Sequence, residues 1–133
     1  MCVSSVRSHI EITTRDSGSP FKAALSSMPE GDEADVTGPV GRFMLPASPG
    51  RILMLAGGVG ITPIRSILRD AWQHERSLRG TLICGNRSIE CIPYRGELKE
   101  LESGELRVVH ILEQPPDGWD GENGLVTMGV VVR

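Results

Sequence analysis

The sequence predicts an α/β fold: a parallel three-layer sheet preceded by part of an antiparallel β-barrel. Three observations carry that expectation. An apolar run, Ile52 to Ala56, ends in three glycines within four positions, Gly57, Gly58 and Gly60, and Thr62-Pro63 then opens an amphipathic segment. Strand and helix patterns alternate from there to Leu112, and the last of them, Leu106 to Leu112 (LRVVHIL), is continuously apolar, as suits a strand covered on both faces. Ahead of a Pro/Gly/Ser linker, Pro46-Ala-Ser-Pro-Gly50, lie short extended segments and one short helix, too few to close a barrel.

His9 to Thr14 alternates polar and apolar residues and reads as a strand, and Asp16-Ser-Gly-Ser19 reads as a turn. Pro20 to Met28 reads as a helix with Ser19 as N-cap and Pro20 at the first helical position. Glu33 to Thr37 is expected as a strand, Gly38-Pro39 turns the chain, and Arg42 to Leu45 extends again. After the linker come a strand over 51–56, a helix over 63–75, a strand over 81–84, a turn at Gly85-Asn-Arg-Ser88, a helical stretch from Tyr94 to Glu102 and the strand at Leu106. In the helix, Thr62 is the expected N-cap. Ile64, Ile67, Leu68 and Ala71 share one face, while Arg65, Arg69, Asp70 and Gln73 point elsewhere. Right-handed crossovers make the three strands parallel, in spatial order 3-2-1. The tail, Leu125 to Arg133, is apolar, with Val130 to Val132 read as an exposed sheet edge. The expected division is residues 1–49 as a partial barrel and 50–133 as the α/β domain.

A strand, a glycine turn and a helix start in that order form a nucleotide-binding (Rossmann-like) arrangement. The helix start offers unpaired backbone N–H groups and a partial positive charge, and glycines let a phosphate approach the backbone closely. Residues 57–63 and 85–88 would converge at the carboxyl edge of the sheet, where such ligands bind. The spacing Gly58-x-Gly60-x-x-Pro63 departs from the common G-x-G-x-x-G form. At the end of the second strand, Asn86-Arg87-Ser88 stands where a ribose-binding carboxylate is expected. An arginine there suits a 2′-phosphate, so NAD and NADP both stay open.

The 133 residues suffice for one compact domain, and 39 % apolar with 23 % charged residues is an ordinary globular composition. A net charge of −3 gives no overall attraction to nucleic acid or anionic lipid. No apolar run approaches the length of a membrane span and no signal peptide is recognisable, so a cytoplasmic protein is expected, without nucleic-acid or membrane partners. Cys2, Cys84 and Cys91 form no Cys-x-x-Cys pair, and His9, His74 and His110 are far apart, so no metal site is expected. No Tyr-x-x-x-Lys pair, no phosphate loop ending in Lys-Ser/Thr and no Gly-x-Ser-x-Gly elbow is present. Hydride exchange between two cofactors needs no acid, base or nucleophile from the protein.

The chain resembles the ferredoxin–NADP reductase-like flavin oxidoreductases in Gly38-Pro39-Val-Gly41-Arg-Phe43, Leu55-Ala-Gly-Gly-Val-Gly-Ile-Thr-Pro63 and Gly85-Asn-Arg-Ser88. Arg95-Gly-Glu97-Leu98 and Gly118-Trp119-x-Gly121-Glu122 extend the likeness, which covers most of residues 9–126. The resemblance implies a flavin-binding barrel before an NAD(P)-binding domain, with electrons passing between NAD(P)H and FAD or FMN. The redox partner would be ferredoxin, an oxygenase component or a small molecule. It implies that Gly57, Gly58, Val59, Gly60, Ile61, Thr62 and Pro63 hold the nicotinamide nucleotide, with Thr62 at the flavin–nicotinamide contact. Asn86 and Arg87 would face the adenosine ribose, and Ser19 to Lys22 would approach the flavin pyrophosphate. Trp119 is expected to pack its own loop. Met1 to Ser5 resembles the remnant of the family's Arg-x-Tyr/Phe-Ser segment without the arginine, and the later Cys-Gly-Pro strand has no counterpart. The chain therefore reads as a piece of such an enzyme, cut at both ends. The alternative reading is a non-catalytic nucleotide-binding or vestigial fragment.

Overall fold

The computed structural model describes residues 2–6, 9–38 and 40–131. Met1, Pro39 and Val132, each part of a segment singled out above, lie outside the described residues. The protein has an antiparallel hairpin, β1 (Cys2–Val6) and β2 (His9–Thr13), then helix α1 (Pro20–Ser27) and a long irregular stretch. The α/β unit follows: β3 (Ile52–Gly57), α2 (Ile61–Gln73), β4 (Gly80–Asn86), α3 (Arg95–Glu100), β5 (Leu106–Leu112), the two-residue β6 (Glu122–Asn123) and α4 (Met128–Val131).

The sheet order is β3-β4-β5-β6, all parallel, so the three expected strands stand in the expected order and a fourth joins them. β6 pairs Glu122 and Asn123 with Ile111 and Leu112 from within a loop rich in Pro, Gly and Asp. Leu68 of α2 and Leu98 of α3 share one core cluster with Leu82, Cys84 and Leu106, so both crossover helices cover the same face. On β4, Gly85 leaves room for Val126, whose Cγ2 would stand 2.8 Å from a Cβ built there. β3 is an edge strand, and its Leu53 and Leu55 are exposed.

Gly80 opens β4 where no larger residue fits: its φ is +154°, and a Cβ would overlap the carbonyl oxygen of Ile52 on the neighbouring strand. α1 starts as its sequence predicts, with the Ser19 hydroxyl accepting a hydrogen bond from Lys22 N at 3.3 Å and Pro20 at the helix start.

Several local expectations are corrected. Glu33 to Thr37 and Arg42 to Leu45 form no strands. A ladder needs a neighbour, and the hairpin strands pair with each other, while Met44 N donates back to Arg42 O at 2.9 Å in a tight turn. α2 begins at Ile61, not Pro63, and its N-cap is Gly60, not Thr62. Gly60 already has helical dihedrals, φ −64° and ψ −11°, because a 3₁₀ turn over Gly58–Gly60 runs straight into the helix. β4 extends through Asn86, two residues past the expected strand end at Cys84 and into the expected turn, because its pairing with β5 continues to Leu112. Val130 and Val131 lie in α4 rather than on a strand edge. Among the described residues, no helix is long and apolar enough to cross a membrane, and no His/Cys/Asp/Glu cluster could hold a metal ion.

Candidate functional site

The site begins where β3 ends. Gly57 is extended, and Gly58 swings to φ +49°, a conformation that glycine adopts without strain. From there Gly58–Gly60 tightens into the start of α2, and the Ile61 N–H turns back onto the carbonyls of Gly58 and Val59. Thr62 is fully buried, and its hydroxyl donates to Val59 O at 2.9 Å, tying the turn to the first helical turn. Pro63 sits in that first turn, where a backbone N–H would have no helical partner. A Cβ built at Gly60 meets nothing within 4 Å, so the mouth of the turn is open.

β4 brings a second segment to the same edge. Gly85 registers with Gly57, and Asn86 follows at the strand end. Asn86 is only 6 % exposed, and its side-chain oxygen is buried without a protein hydrogen bond, an acceptor left over at the carboxyl edge. Its backbone carbonyl accepts from Glu113 N at 3.1 Å, and that of Arg87 accepts from Gln114 N at 2.7 Å, which anchors the loop after β5 beside them. The Arg87 side chain is exposed.

The hairpin supplies a residue that the sequence did not signal. Arg15 follows β2, and its guanidinium lies over Gly58, with Nη2 3.1 Å from where a Cβ would stand. Nothing in the local pattern around Arg15 marks it, because its position depends on how β2 docks. Arg65, expected on the outward face of α2, is instead 4 % exposed. Its Nε donates to Glu97 Oε2 at 2.8 Å and its Nη1 to Glu11 Oε2 at 2.9 Å, so the hairpin and α3 close over it. Burial opposes its charge, but the hydrogen bonds and charges of Glu11 and Glu97 outweigh it and raise its pKa.

Other predicted residues make local contacts. Ser19 caps α1, and Lys22 Nζ donates to Ser17 Oγ at 2.9 Å, both local bonds. Trp119 packs its own loop as expected: its indole N–H donates to Glu122 O at 3.2 Å and its ring covers Gly121. Burial pushes the Cys84 thiol up to about 12, so it stays protonated and inert. A cavity of about 650 Å³ lies along the free half of β5, between Arg95, Lys99, Arg107 and His110 on one side and the Trp119 loop on the other, away from the glycine turn.

Comparison with known proteins agrees with this architecture. The profile of the oxidoreductase NAD-binding domain matches residues 54–132. The chain is 34 % identical over 134 residues to the NADPH nitrate reductase of Fusarium oxysporum, covering 90 % of this chain and 15 % of that protein. It is 32 % identical over 115 residues to NADH-cytochrome b5 reductase 2 of Phaeosphaeria nodorum, covering 81 % of this chain and 34 % of the relative. Among solved structures, the cytochrome b5 reductase domain of Ulva prolifera nitrate reductase superposes with a TM-score of 0.77 at 24 % identity, over 87 % of this chain and 49 % of that one. A ferredoxin NADP+ reductase from Neisseria gonorrhoeae, with bound FAD and NADP, superposes at 0.62 and 23 % identity, over 92 % and 50 % of the two chains. The chain thus spans a minor part of the curated relatives it matches. A parallel sheet with a glycine turn at its carboxyl edge, and a profile match over more than half its length, mean that the chain belongs to the oxidoreductase NAD-binding domain family of ferredoxin–NADP reductase-like proteins.

Proposed function

We propose that this chain binds a pyridine nucleotide across the glycine turn and serves hydride exchange between NAD(P)H and a flavin, FAD or FMN, within a reductase. One observation carries the reading: the open glycine turn at the end of β3, with the Arg15 guanidinium already poised over Gly58. The backbone of Gly57 to Pro63 fits a pyrophosphate, since Gly60 leaves its approach clear and the α2 dipole favours negative charge. Asn86 ends β4 at the same edge, and exposed Arg87, one residue beyond it, is the side chain free to meet the adenosine ribose or its phosphate. Thr62 acts through the turn, holding Val59 and hence the backbone on which a nicotinamide and flavin would meet. Ser19 keeps its hydroxyl proton and Lys22 two ammonium protons for donation to a flavin phosphate at the start of α1. When bound, the dihydronicotinamide supplies a hydride and the flavin accepts it.

In this reading residues 1–49 are the flavin-side portion and 50–133 the nucleotide domain. The names of the relatives favour a haem protein of the cytochrome b5 kind as electron acceptor, beside the ferredoxin or oxygenase component expected from the sequence. Gly60→Val tests the site. The position has ordinary helical dihedrals and open space, so the variant folds, while its side chain fills the path of the phosphates. Its Kd for NADH or NADPH, followed by nucleotide fluorescence, is expected to rise at least about tenfold, equivalent to about 1.4 kcal/mol. An unchanged Kd overturns the reading. Nucleotide binding without flavin retention or NAD(P)H-driven dye reduction would leave the non-catalytic alternative standing.

A further inference from the structure

Glu11, Thr13 and Arg15 alternate along one extended segment, and each meets a different part of the α/β unit. Glu11 accepts from Arg65 Nη1 at 2.9 Å. The Thr13 hydroxyl hydrogen-bonds the Tyr94 hydroxyl. Arg15 lies over Gly58. The first two contacts join a single cluster, because the Arg65 guanidinium stacks 4.1 Å from the centre of the Tyr94 ring and its Nε holds Glu97. Arg69 Nε stands a further 3.4 Å from Glu97 Oε1. Tyr94 keeps a left-handed backbone, φ +56°, a conformation that costs a non-glycine residue energy and persists only where surroundings impose it.

We infer that Arg65 and Tyr94 form a clamp that grips β2 at Glu11 and Thr13 and thereby sets Arg15 against the glycine turn, making both of them positioning residues for the dinucleotide phosphate. The inference rests on the proposed nucleotide site. A flexible arginine after a strand end loses conformational freedom when it binds a phosphate, and fixing the strand two residues upstream removes part of that cost before the ligand arrives. Arg65 suits the task because its planar fork holds two carboxylates from different elements while its face stays on an aromatic ring.

The test uses the full chain and two mild changes, Glu11→Gln and Tyr94→Phe, which keep shape and the ring under Arg65. Arg15→Ala is expected to raise the Kd for NADH or NADPH about tenfold by removing a charge-assisted bond to phosphate. The Glu11→Gln/Tyr94→Phe double variant is expected to raise it about fivefold, and to add nothing in the Arg15→Ala background, since its effect passes through Arg15. Arg65→Lys should behave like the double variant, keeping the charge but losing the fork. In the free protein, the double variant and Arg15→Ala should both shift the backbone amide resonances of Gly58 and Val59. Equal weakening with and without Arg15 would show a merely structural role and overturn the clamp. So would a wild-type Kd in the double variant, or unmoved Gly58 and Val59 amides. If instead neither Arg15→Ala nor Gly60→Val alters nucleotide binding, the nucleotide site itself falls, whatever the amide shifts report.

Discussion

Between Ile61 and Leu112 thirteen apolar side chains are buried, whereas among the described residues from His9 to Gly50 none is. Phe21, Val36, Phe43 and Met44 of the earlier region all lie exposed, while Ile61, Leu68, Leu82, Leu98 and Ile111 of the later one are almost completely enclosed. The α/β unit thus holds itself together by removing apolar surface from water, a non-directional and cooperative force. Its contacts with β2 described above are directional and polar: the Arg65–Glu11 ion pair, the Thr13–Tyr94 hydrogen bond and Arg15 over Gly58. Each such bond adds little net stability, yet fixes geometry. The difference teaches that the described apolar core lies in the later region, and that the polar contacts of β2 set its position against that core.

The most damaging single change should fall in the α/β unit at Gly80. A Cβ there overlaps the Ile52 carbonyl, which backbone alone must absorb, and a positive φ adds strain. Gly80→Ala is expected to cost more than about 3 kcal/mol in urea denaturation. A near-wild-type midpoint would break the view that β3 and β4 are locked at this point. Leu98→Ala, at 0 % exposure between α3 and the sheet, should cost about 3 kcal/mol by the same measurement, combining lost burial with a cavity.

A smaller effect is expected from pH. Burial, and then the positive charge of Arg95, lower the His110 pKa below its ordinary value of 6.5, with the charge of Glu102 opposing them. The unfolded chain therefore takes up this proton more readily than the folded one. The stability that follows is present above pH 6.5 and declines as pH falls through 6.5 toward the lowered folded value. His110→Gln should narrow the difference between urea midpoints at pH 7.5 and pH 5.5. An equal or wider difference would remove His110 as the cause.

The least effect should come from the earlier region. Phe43→Ala is expected to change stability by no more than about 0.5 kcal/mol, because its ring is already in water. A loss rivalling that of Leu98→Ala would mean that residues 9–50 bury a core of their own, and the contrast between the regions would fail.

How much of this was legible in advance follows the range of the interactions involved. The glycine turn could be read directly, because its glycines and the following amphipathic run are contiguous in sequence and their preferences are local. The Ser19 cap was legible for the same reason. Thr62 was misplaced as the N-cap because a 3₁₀ turn started the helix early, and its hydroxyl serves Val59 instead. Arg65 was misread because helical periodicity describes one helix alone, and a covering partner, Glu11 of β2, lies 54 residues upstream. Glu33 to Thr37 has only Val36 and Thr37 as strand formers and no neighbouring strand to pair with, so it stays irregular. β6 escaped notice because two residues carry no periodicity.

By itself, then, the sequence determined the alternation of strands and helices, the parallel order of β3, β4 and β5, and the glycine turn at their carboxyl edge. These depend on local propensity, hydrophobic period and the fixed hand of crossovers, all of which act over short stretches. Tertiary structure alone decided that Arg15 reaches Gly58, that Arg65 is buried between Glu11 and Glu97, and that Asn86 keeps an unspent oxygen at that edge. Those features arise from contacts between segments remote in sequence, where the partner, rather than the residue's own neighbours, sets the energy of each side chain.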